Sequence, residues 1–573
     1  MKLRLIKIGV LLLVAVAVTV LILAPNGLAD GNVVPINGSD SLAQDPPMEE
    51  EDPPEIVIGE RLFLETRFAQ FFFANANGDA NKVLDSGDPV MDTSETLDAP
   101  LPGPFAGQSM NCRACHLVDE QQQTIGGGMR AYSDFARRTP LPARPDRKTK
   151  TVRNSPPLVN ASLARNTGFF LHFDGEFTTI KDLVKATFTG RNYGWLPEEK
   201  QPAIAHIANI IRNDNGSGDL ASEFGGAYRV ILKGTDTTIP DKFRLPKKFR
   251  IDVSKATDKE ILNAISALVA AYVESLVFAQ DDNGEFNGSP YDLFLQKNSL
   301  PRKPAQGESD LAYSRRLLQL LQGLSSPMFV SEADGEFKFH SQAFVFGPQE
   351  LEGLKIFLSE ANMLPLPPDT LMQGKIGNCV ACHAAPNFTD FRFHNTGATQ
   401  EEYDAIHGQE AFANILIPDL KTRRANYDAF LPPTAKHPNA QGPFLDIPTL
   451  DKPGRTDLGL WNVFANPDIS KPQKQLRQTL CDTQPCSARE LLPKTIALFK
   501  TPGLRDLGHS APYFHTGGKT TLIDVIEFYR KFGELARAGK IRNGAMELQG
   551  IALTPADVTP LNAFLKSLNE DYE

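Results

Sequence analysis

Residues 379–383 read Cys-Val-Ala-Cys-His, and residues 112–116 read Cys-Arg-Ala-Cys-His. Both are C-x-x-C-H, the pattern that attaches a c-type haem to a chain. Two thiols one turn apart can each bond a vinyl group of the same porphyrin, and the imidazole that follows reaches the iron. A zinc site would bring two C-x-x-C pairs, or one pair and spaced histidines, into a single small unit. Here the two motifs stand far apart in the chain, so they mark two centres. Cys112, Cys115, Cys379 and Cys382 are the expected attachment points, with His116 and His383 as axial ligands to two covalently bound haems. Of the 6 cysteines, that leaves Cys481 and Cys486, which are placed to close a small disulfide in an oxidising compartment.

The 573 residues are 41% apolar and 22% charged, enough for packed cores in two to four domains of about 100–200 residues each. With 43 Gly and 43 Pro, the chain is neither collagen-like nor wholly disordered. Its net charge of −10 argues against a nucleic-acid binder, which carries the opposite sign. The start is basic (Lys2, Arg4, Lys7) and is followed by an apolar run from Ile8 to Ala24. That order is an export signal. Residues 1–29 therefore read either as a signal peptide cleaved after Ala29 or as an anchor in which residues 8–24 hold the chain to the inner membrane. Both readings put the remainder in a bacterial periplasm. Residues 30–55 are acidic and Pro-rich and read as a linker.

Beyond the linker the chain is expected to be mostly α, with long ordered loops and insertions. Ile261, Leu262, Ile265, Leu268, Val269, Tyr272, Val273 and Leu276 recur at helical spacing, and Thr257 with Glu260 supplies a capping box. Leu351, Leu354, Ile356 and Phe357 form a second stripe, and Leu522, Val525, Ile526 and Tyr529 a third. A last helix begins at Thr559-Pro560. The basic stretch 137–153 reads as a solvated loop, or else as a docking patch for an acidic partner or for haem propionates. Asn395 to Pro493 are Pro- and Asp-rich and read largely as long ordered loop, nearly coincident with an extra segment at 398–495. No repeat is evident beyond the Cys motif. The expected layout is an N-terminal haem domain over 56–340 and a C-terminal haem domain over 341–573, both cytochrome-c-like and each carrying an insertion.

The segments around the motifs resemble bacterial dihaem cytochrome c peroxidases and their MauG-like relatives. The resemblance is carried by Cys379 to Gly397, with its Pro386-Asn387-Phe388-Thr389-Asp390-Phe391-Arg392-Phe393-His394 run. Thr501-Pro502-Gly503-Leu504-Arg505-Asp506 and Ala511-Pro512-Tyr513-Phe514-His515-Thr516-Gly517 carry it further. Gly59 to Phe63, Arg153-Asn154-Ser155-Pro156 and Phe173-Asp174-Gly175 add to it, and about half of the chain is covered. The resemblance implies Tyr529 as the distal ligand of the second haem, as in MauG-like enzymes, although Tyr529 also fits its apolar stripe as a core residue. A phenolate ligand would lower that haem's potential. It also implies a calcium ion between the haem regions on Asn154, Ser510 and Pro512, where carbonyl and amide oxygens suit a hard cation. His394 and His515 match family positions near the second haem and the interface.

Two departures bear on the reaction. The family's inter-haem Trp is Phe173 here, with Trp195 as the nearest other indole. The Gln and Glu of the family's first haem pocket fall on Leu183 and Tyr193, so the acid/base for peroxide is missing. Arg191, Glu198 and Glu199 are the nearby polar candidates, and His116, Arg191 and Tyr193 are the expected catalytic set. No histidine follows His116 until His172, and Met129 is the first methionine after it, so the first haem is expected to be open. The leading expectation is an oxidoreductase of the peroxidase or MauG type. It would use peroxide at the first haem and pass electrons through the second, with a small redox protein as donor or a protein or organic substrate as target. The alternatives are a rubber-oxygenase-like enzyme acting with O2 on an apolar substrate (Leu183 and Phe188 lining its pocket) and a dihaem electron carrier without chemistry of its own.

Overall fold

The computed structural model describes residues 52–91, 109–116, 138–163, 165, 168–338, 340–481 and 486–571. The export segment at 1–29, almost all of the linker at 30–55, and Met129 lie outside these residues. The described chain from Asp52 onward is one compact unit. It is mostly helical, and the only strands among the described residues are the antiparallel pair β1 (Phe393–His394) and β2 (Phe499–Lys500).

Four helices build the first core: α1 (Pro54–Leu64), α2 (Ile180–Phe188), α3 (Lys200–Asn213) and α4 (Asp258–Ser275). The α4 start follows its sequence signal, with Thr257 N–H donating to Glu260 Oε2 at 2.8 Å and Glu260 N–H to the Thr257 hydroxyl at 3.3 Å. Its apolar stripe is buried from Ile261 to Val273. α1 crosses α4 at Gly59, where a Cβ would run into the Leu268 carbonyl and lie 2.8 Å from Tyr272 Cβ. The absence of a side chain there is what lets the two backbones touch.

A second core gathers α5 (Pro290–Lys297), α6 (Asp310–Gly323), α7 (Pro348–Leu358), α8 (Leu522–Arg537) and α9 (Val558–Lys566). α7 meets α9 as α1 meets α4, with Gly353 facing the Pro560 carbonyl where a Cβ would clash. α9 begins one residue before the expected Thr559-Pro560, because Thr554 and Asp557 cap a preceding turn that runs straight into it. Pro560 is tolerated since first-turn amides have no helical partner anyway. Tyr291, Phe294, Tyr313 and Leu317 of α5 and α6 belong to this core, so the cores divide before α5 and not at the expected residue 340. Apolar faces of α5 and α6 that read as continuing the first region are buried against α7 and α9.

Residues 398–495 are less loop-like than expected. They form a third core around Trp461, Phe444, Phe464 and Leu431, joined by Phe170 and Phe393, with short helices at its surface. Cys481 and Cys486 are disulfide-bonded at its edge. The basic stretch 138–153 is a solvated loop only in its middle, where residues 145–147 and 149–150 are exposed, and its two ends are held. Arg138 makes a two-pronged ion pair with Glu402 at 2.9 Å, and Arg153 bridges Asp174 and Asp457 at 2.5 Å. Both arginines tie the first region to the inserted one.

Candidate haem sites

Each C-x-x-C-H is a single tight turn. Cys115 N–H donates to the Cys112 carbonyl at 3.0 Å and His116 N–H to the same oxygen at 2.9 Å; Cys382 and His383 repeat this on Cys379 at 3.1 and 2.8 Å. An asparagine precedes each turn. Asn111 accepts from Ala114 N–H at 3.0 Å and donates to the Leu64 carbonyl at the end of α1 at 2.8 Å. Asn378, in the left-handed region, donates to the Glu547 carbonyl at 2.7 Å. The turns therefore present two thiols and an imidazole from the same backbone geometry, anchored at both ends.

Each set faces a large cavity. The first is lined by Cys112, Cys115 and His116 together with Leu158, Leu183, Val184, Val269, Val273 and Phe278. The second is lined by Cys379, Cys382, His383 and Tyr529, with Leu522, Ile526, Leu561 and Leu565 behind them. Burial pushes the thiol of Cys112 up to about 12, Cys115 to about 11 and Cys379 to about 12, so each stays a protonated, unpaired thiol at neutral pH. Burial also takes His116 down to about 4, helped by the nearby His172, and lowers His383. Both imidazoles are thus neutral and able to donate a lone pair to a metal. His383 Nδ1 donates to the Phe388 carbonyl at 2.8 Å, which leaves Nε2 for iron. A flat macrocycle with two vinyl edges fits both cavities in apolarity and donor set.

The two cavities share a wall. Pro157, Phe173, Lys500, Pro502, Gly503 and Arg505 line both. Arg505 is pinned in that wall by a buried fork to Asp292 at 2.8 and 2.9 Å and by the Pro386 carbonyl at 3.1 Å. Lys500, on β2, has no carboxylate within ion-pair distance among the described residues. Burial and the neighbouring Arg165 bring its ammonium down to about 7 against a smaller opposing pull from Asp390.

The structure separates the remaining expected residues. Tyr529 lies in the second cavity with His383; burial raises its hydroxyl above the usual range, and Phe514 and Phe528 pack on its ring. His394 lines the same cavity and pairs with Asp390 at 2.7 Å. His515 lines it too, stacked on Phe499 at 3.5 Å between ring centroids with Nε2 3.0 Å from the Thr399 hydroxyl. Asn154 and Pro512 do meet: the Asn154 amide contacts the Pro512 carbonyl, and Asn154 Oδ1 is buried without a partner. Ser510 stands on the neighbouring cavity wall.

Tyr193 is in the first cavity but on its attachment edge, its hydroxyl 3.3 Å from Cys112 Sγ. Arg191 is not in the cavity. Its guanidinium is held by Asp146 at 2.7 and 2.9 Å and by the Pro142 and Lys148 carbonyls. Glu199 is engaged with Arg144 and with Leu196 N–H, and neither it nor Glu198 lines the cavity. Phe188 packs in the first core on Phe68 and Tyr193, while Leu183 does face the cavity. Trp195 is core, 1% exposed and donating to the Phe68 carbonyl at 3.1 Å. What the motif spacing missed is His172. It lines the first cavity, with φ +61°, and its Nδ1 lies 3.4 Å from Glu176 Oε2. Its place just before Phe173-Asp174-Gly175 was the available signal.

No family model matches the chain. The cytochrome-c peroxidase IdrP2 of Denitromonas iodatirespirans is 27% identical over 194 residues, 34% of this chain and 36% of that protein. IdrP1 of the same organism is 27% identical over 202 residues, 35% and 38%. Both of these similar proteins are cytochrome-c peroxidases. The match spans little more than a third of those peroxidases' length. Among solved structures, the diheme peroxidase BthA from Burkholderia thailandensis E264 aligns with 91% of this chain and 87% of its own, at 16% identity and TM-score 0.41. A MauG-like protein associated with microbial copper homeostasis aligns over 91% of each chain at 17% identity and TM-score 0.38. Like the sequence motifs, the curated relatives point to cytochrome-c peroxidases.

Proposed function

We propose that this chain is an exported dihaem oxidoreductase that reduces peroxide, or uses it to oxidise a partner, at the first cavity and exchanges electrons through the second. The observation that carries this reading is the pair of cavities, each with two thiols and a neutral imidazole on its wall, separated by one shared layer of side chains. Cys112, Cys115 and His116 would hold one haem, and Cys379, Cys382 and His383 the other, with Tyr529 as the second haem's further ligand. When bound, these haems would supply the iron redox chemistry that splits the O–O bond and stores electrons. The chain's own contribution is proton handling and positioning. His172 takes the role expected of a cavity acid/base, accepting a proton at Nε2 and holding its ring through Glu176. Phe173 and the Pro502-Gly503 backbone keep the two centres close. Lys500 offers its ammonium to carboxylates that enter either cavity. Asn154 Nδ2 now contacts the Pro512 carbonyl while Oδ1 is buried without a partner; with the amide turned over, Oδ1 and that carbonyl would offer two oxygens to a calcium ion, with Ser510 close by.

The test is an optical and EPR titration of the oxidised holo-protein with hydrogen peroxide. A high-spin first haem and oxidation of the protein by two equivalents are expected, and His172→Leu should slow that step by roughly a hundredfold or more. Absence of any spectral change with excess peroxide overturns the reading. A low-spin first haem that becomes high-spin in His172→Leu would make His172 an iron ligand and the chain an electron carrier. A second reading has one observation behind it: Leu158, Leu183, Val184, Val269, Val273 and Phe278 make the first cavity largely apolar. That favours O2 chemistry on an apolar, alkene-like substrate, to be checked by O2 uptake. The electron donor is a small redox protein in the peroxide reading, or the oxidised partner is itself a protein or organic molecule.

A further inference from the structure

Away from both cavity centres, three ligating side chains converge from two distant parts of the chain. His340 Nε2 is 2.9 Å from Asp506 Oδ1, and His509 Nδ1 is 3.1 Å from Asp506 Oδ2. One ligand atom from each of the three lies within 4.8 Å of the others. Their side chains are 5%, 1% and 13% exposed respectively. The imidazoles of His340 and His509 lie face to face at 3.8 Å between centroids, tilted by 40°.

The backbone makes room for this grouping. Gly508 sits between the two 506–509 ligands, and a Cβ there would lie 2.8 Å from the His340 ring and 2.6 Å from Asn569 Nδ2. Asp506 takes the left-handed conformation at φ +52°, which turns its carboxylate back toward His509. Its N–H is satisfied by the Leu568 carbonyl at 3.0 Å. The Glu570 carbonyl lies 3.3 Å from His340 Nε2 and provides a further oxygen at the rim.

Ligands around a tetrahedral zinc at about 2.0–2.1 Å stand roughly 3.3 Å apart. The separations of 2.9 and 3.1 Å therefore need only a few tenths of an ångström of opening to admit such an ion. Two imidazoles and one carboxylate are the donor set of a borderline cation of the zinc class, and no soft thiolate is present to favour another. We propose that His340, Asp506 and His509 bind one zinc-class divalent cation. The site is independent of both haem cavities. The two other groupings of this kind among the described residues are not: one includes Cys382 and the other His172. The ion would clip the segment before α7 to the loop that carries Arg505 and Ser510 into the cavity walls. With no ion, the same atoms form two imidazole N–H donors on one carboxylate, and the experiment separates the two states.

The full-length holo-protein, stripped with EDTA and held in saturating calcium to fill hard-cation sites, is loaded with zinc chloride and desalted. Elemental analysis should then find one zinc per chain, and the thermal midpoint followed by circular dichroism should rise with zinc. His509→Gln keeps an amide donor for Asp506, so it retains the fold while losing the zinc and the rise in midpoint. Haem content by pyridine haemochrome confirms that the variant is loaded. Wild-type crystals soaked in zinc should give an anomalous peak between the three side chains. No retained zinc in the wild type, or equal retention and equal stabilisation in His509→Gln, overturns the site and leaves only a hydrogen-bonded cluster.

Discussion

At the scale of single residues, Glu65 shows how a buried charge is held. It is 1% exposed and receives Arg67 at 2.7 and 2.8 Å and the Tyr228 hydroxyl at 2.9 Å. Burial alone would raise its carboxyl, but Arg67 overrides that and brings it down to about 2 from 4.5. A depressed carboxyl stabilises the fold fully above the unfolded value and loses that contribution as the pH falls from about 4.5 toward 2. The loss amounts to about 3 kcal/mol. Urea midpoints for wild type should therefore fall between pH 5 and pH 3 by more than those of Glu65→Gln, and parallel curves would refute the assignment. Lys500 makes a second prediction at this scale. Below about pH 7 Lys500 is charged, so replacing it with Met removes a cation from the shared wall, and both haem potentials should fall in a spectroelectrochemical titration at pH 6 but little at pH 8. Neither residue stood out in the sequence, because a lone Glu or Lys carries no periodic or motif signal and acquires its role only from what surrounds it. The Cys-x-x-Cys-His residues stood out for the opposite reason: their chemistry fixes their spacing within one turn.

Among the elements, helices were legible where a stripe and a cap coincided. Thr257 and Glu260 marked the start of α4, and the 351–357 stripe lies within α7. Helix pairing was not legible, since a glycine on a helix reads as a weakness until its partner is known. Gly59-Glu60-Arg61-Leu62-Phe63 on α1 and Gly353-Leu354-Lys355-Ile356-Phe357 on α7 are the same word in two spellings. Each glycine admits a carbonyl of a later helix, and each helix precedes an Asn-Cys-x-Ala-Cys-His segment further along the chain. The repeat that the cysteines alone suggested is therefore longer, and it was hidden by the divergence of everything between. Gly353→Ala should be destabilised by about 1–3 kcal/mol or more, because backbone on one side and Phe564 on the other leave no room to relax. A thermal melt within 1 °C of wild type would show that α7 can slide away from α9. Gly59→Ala should behave alike, with loss confined to the first core in hydrogen exchange.

In the molecule as a whole, composition and motifs indicated the helical class but not how the insertions are used. Residues 398–495 looked like loop because their apolar residues follow no period; they are assembled by Trp461 and its neighbours into a core of their own. Arg153 holds this core to the first region through Asp457 and Asp174. Burial would raise Asp457, yet Arg153 keeps it below the usual carboxylate range. Arg153→Met leaves two buried carboxylates facing each other, and a loss of about 3–5 kcal/mol is expected by denaturant unfolding. The shared wall of the cavities bears on how the protein is made. An apolar hollow tends to collapse or flood when empty, so a haem in each cavity would act as packing for the partition that its neighbour rests on. A chain that has received one porphyrin is then an unfinished building with a party wall exposed. Such half-loaded chains would be the ones most open to proteolysis.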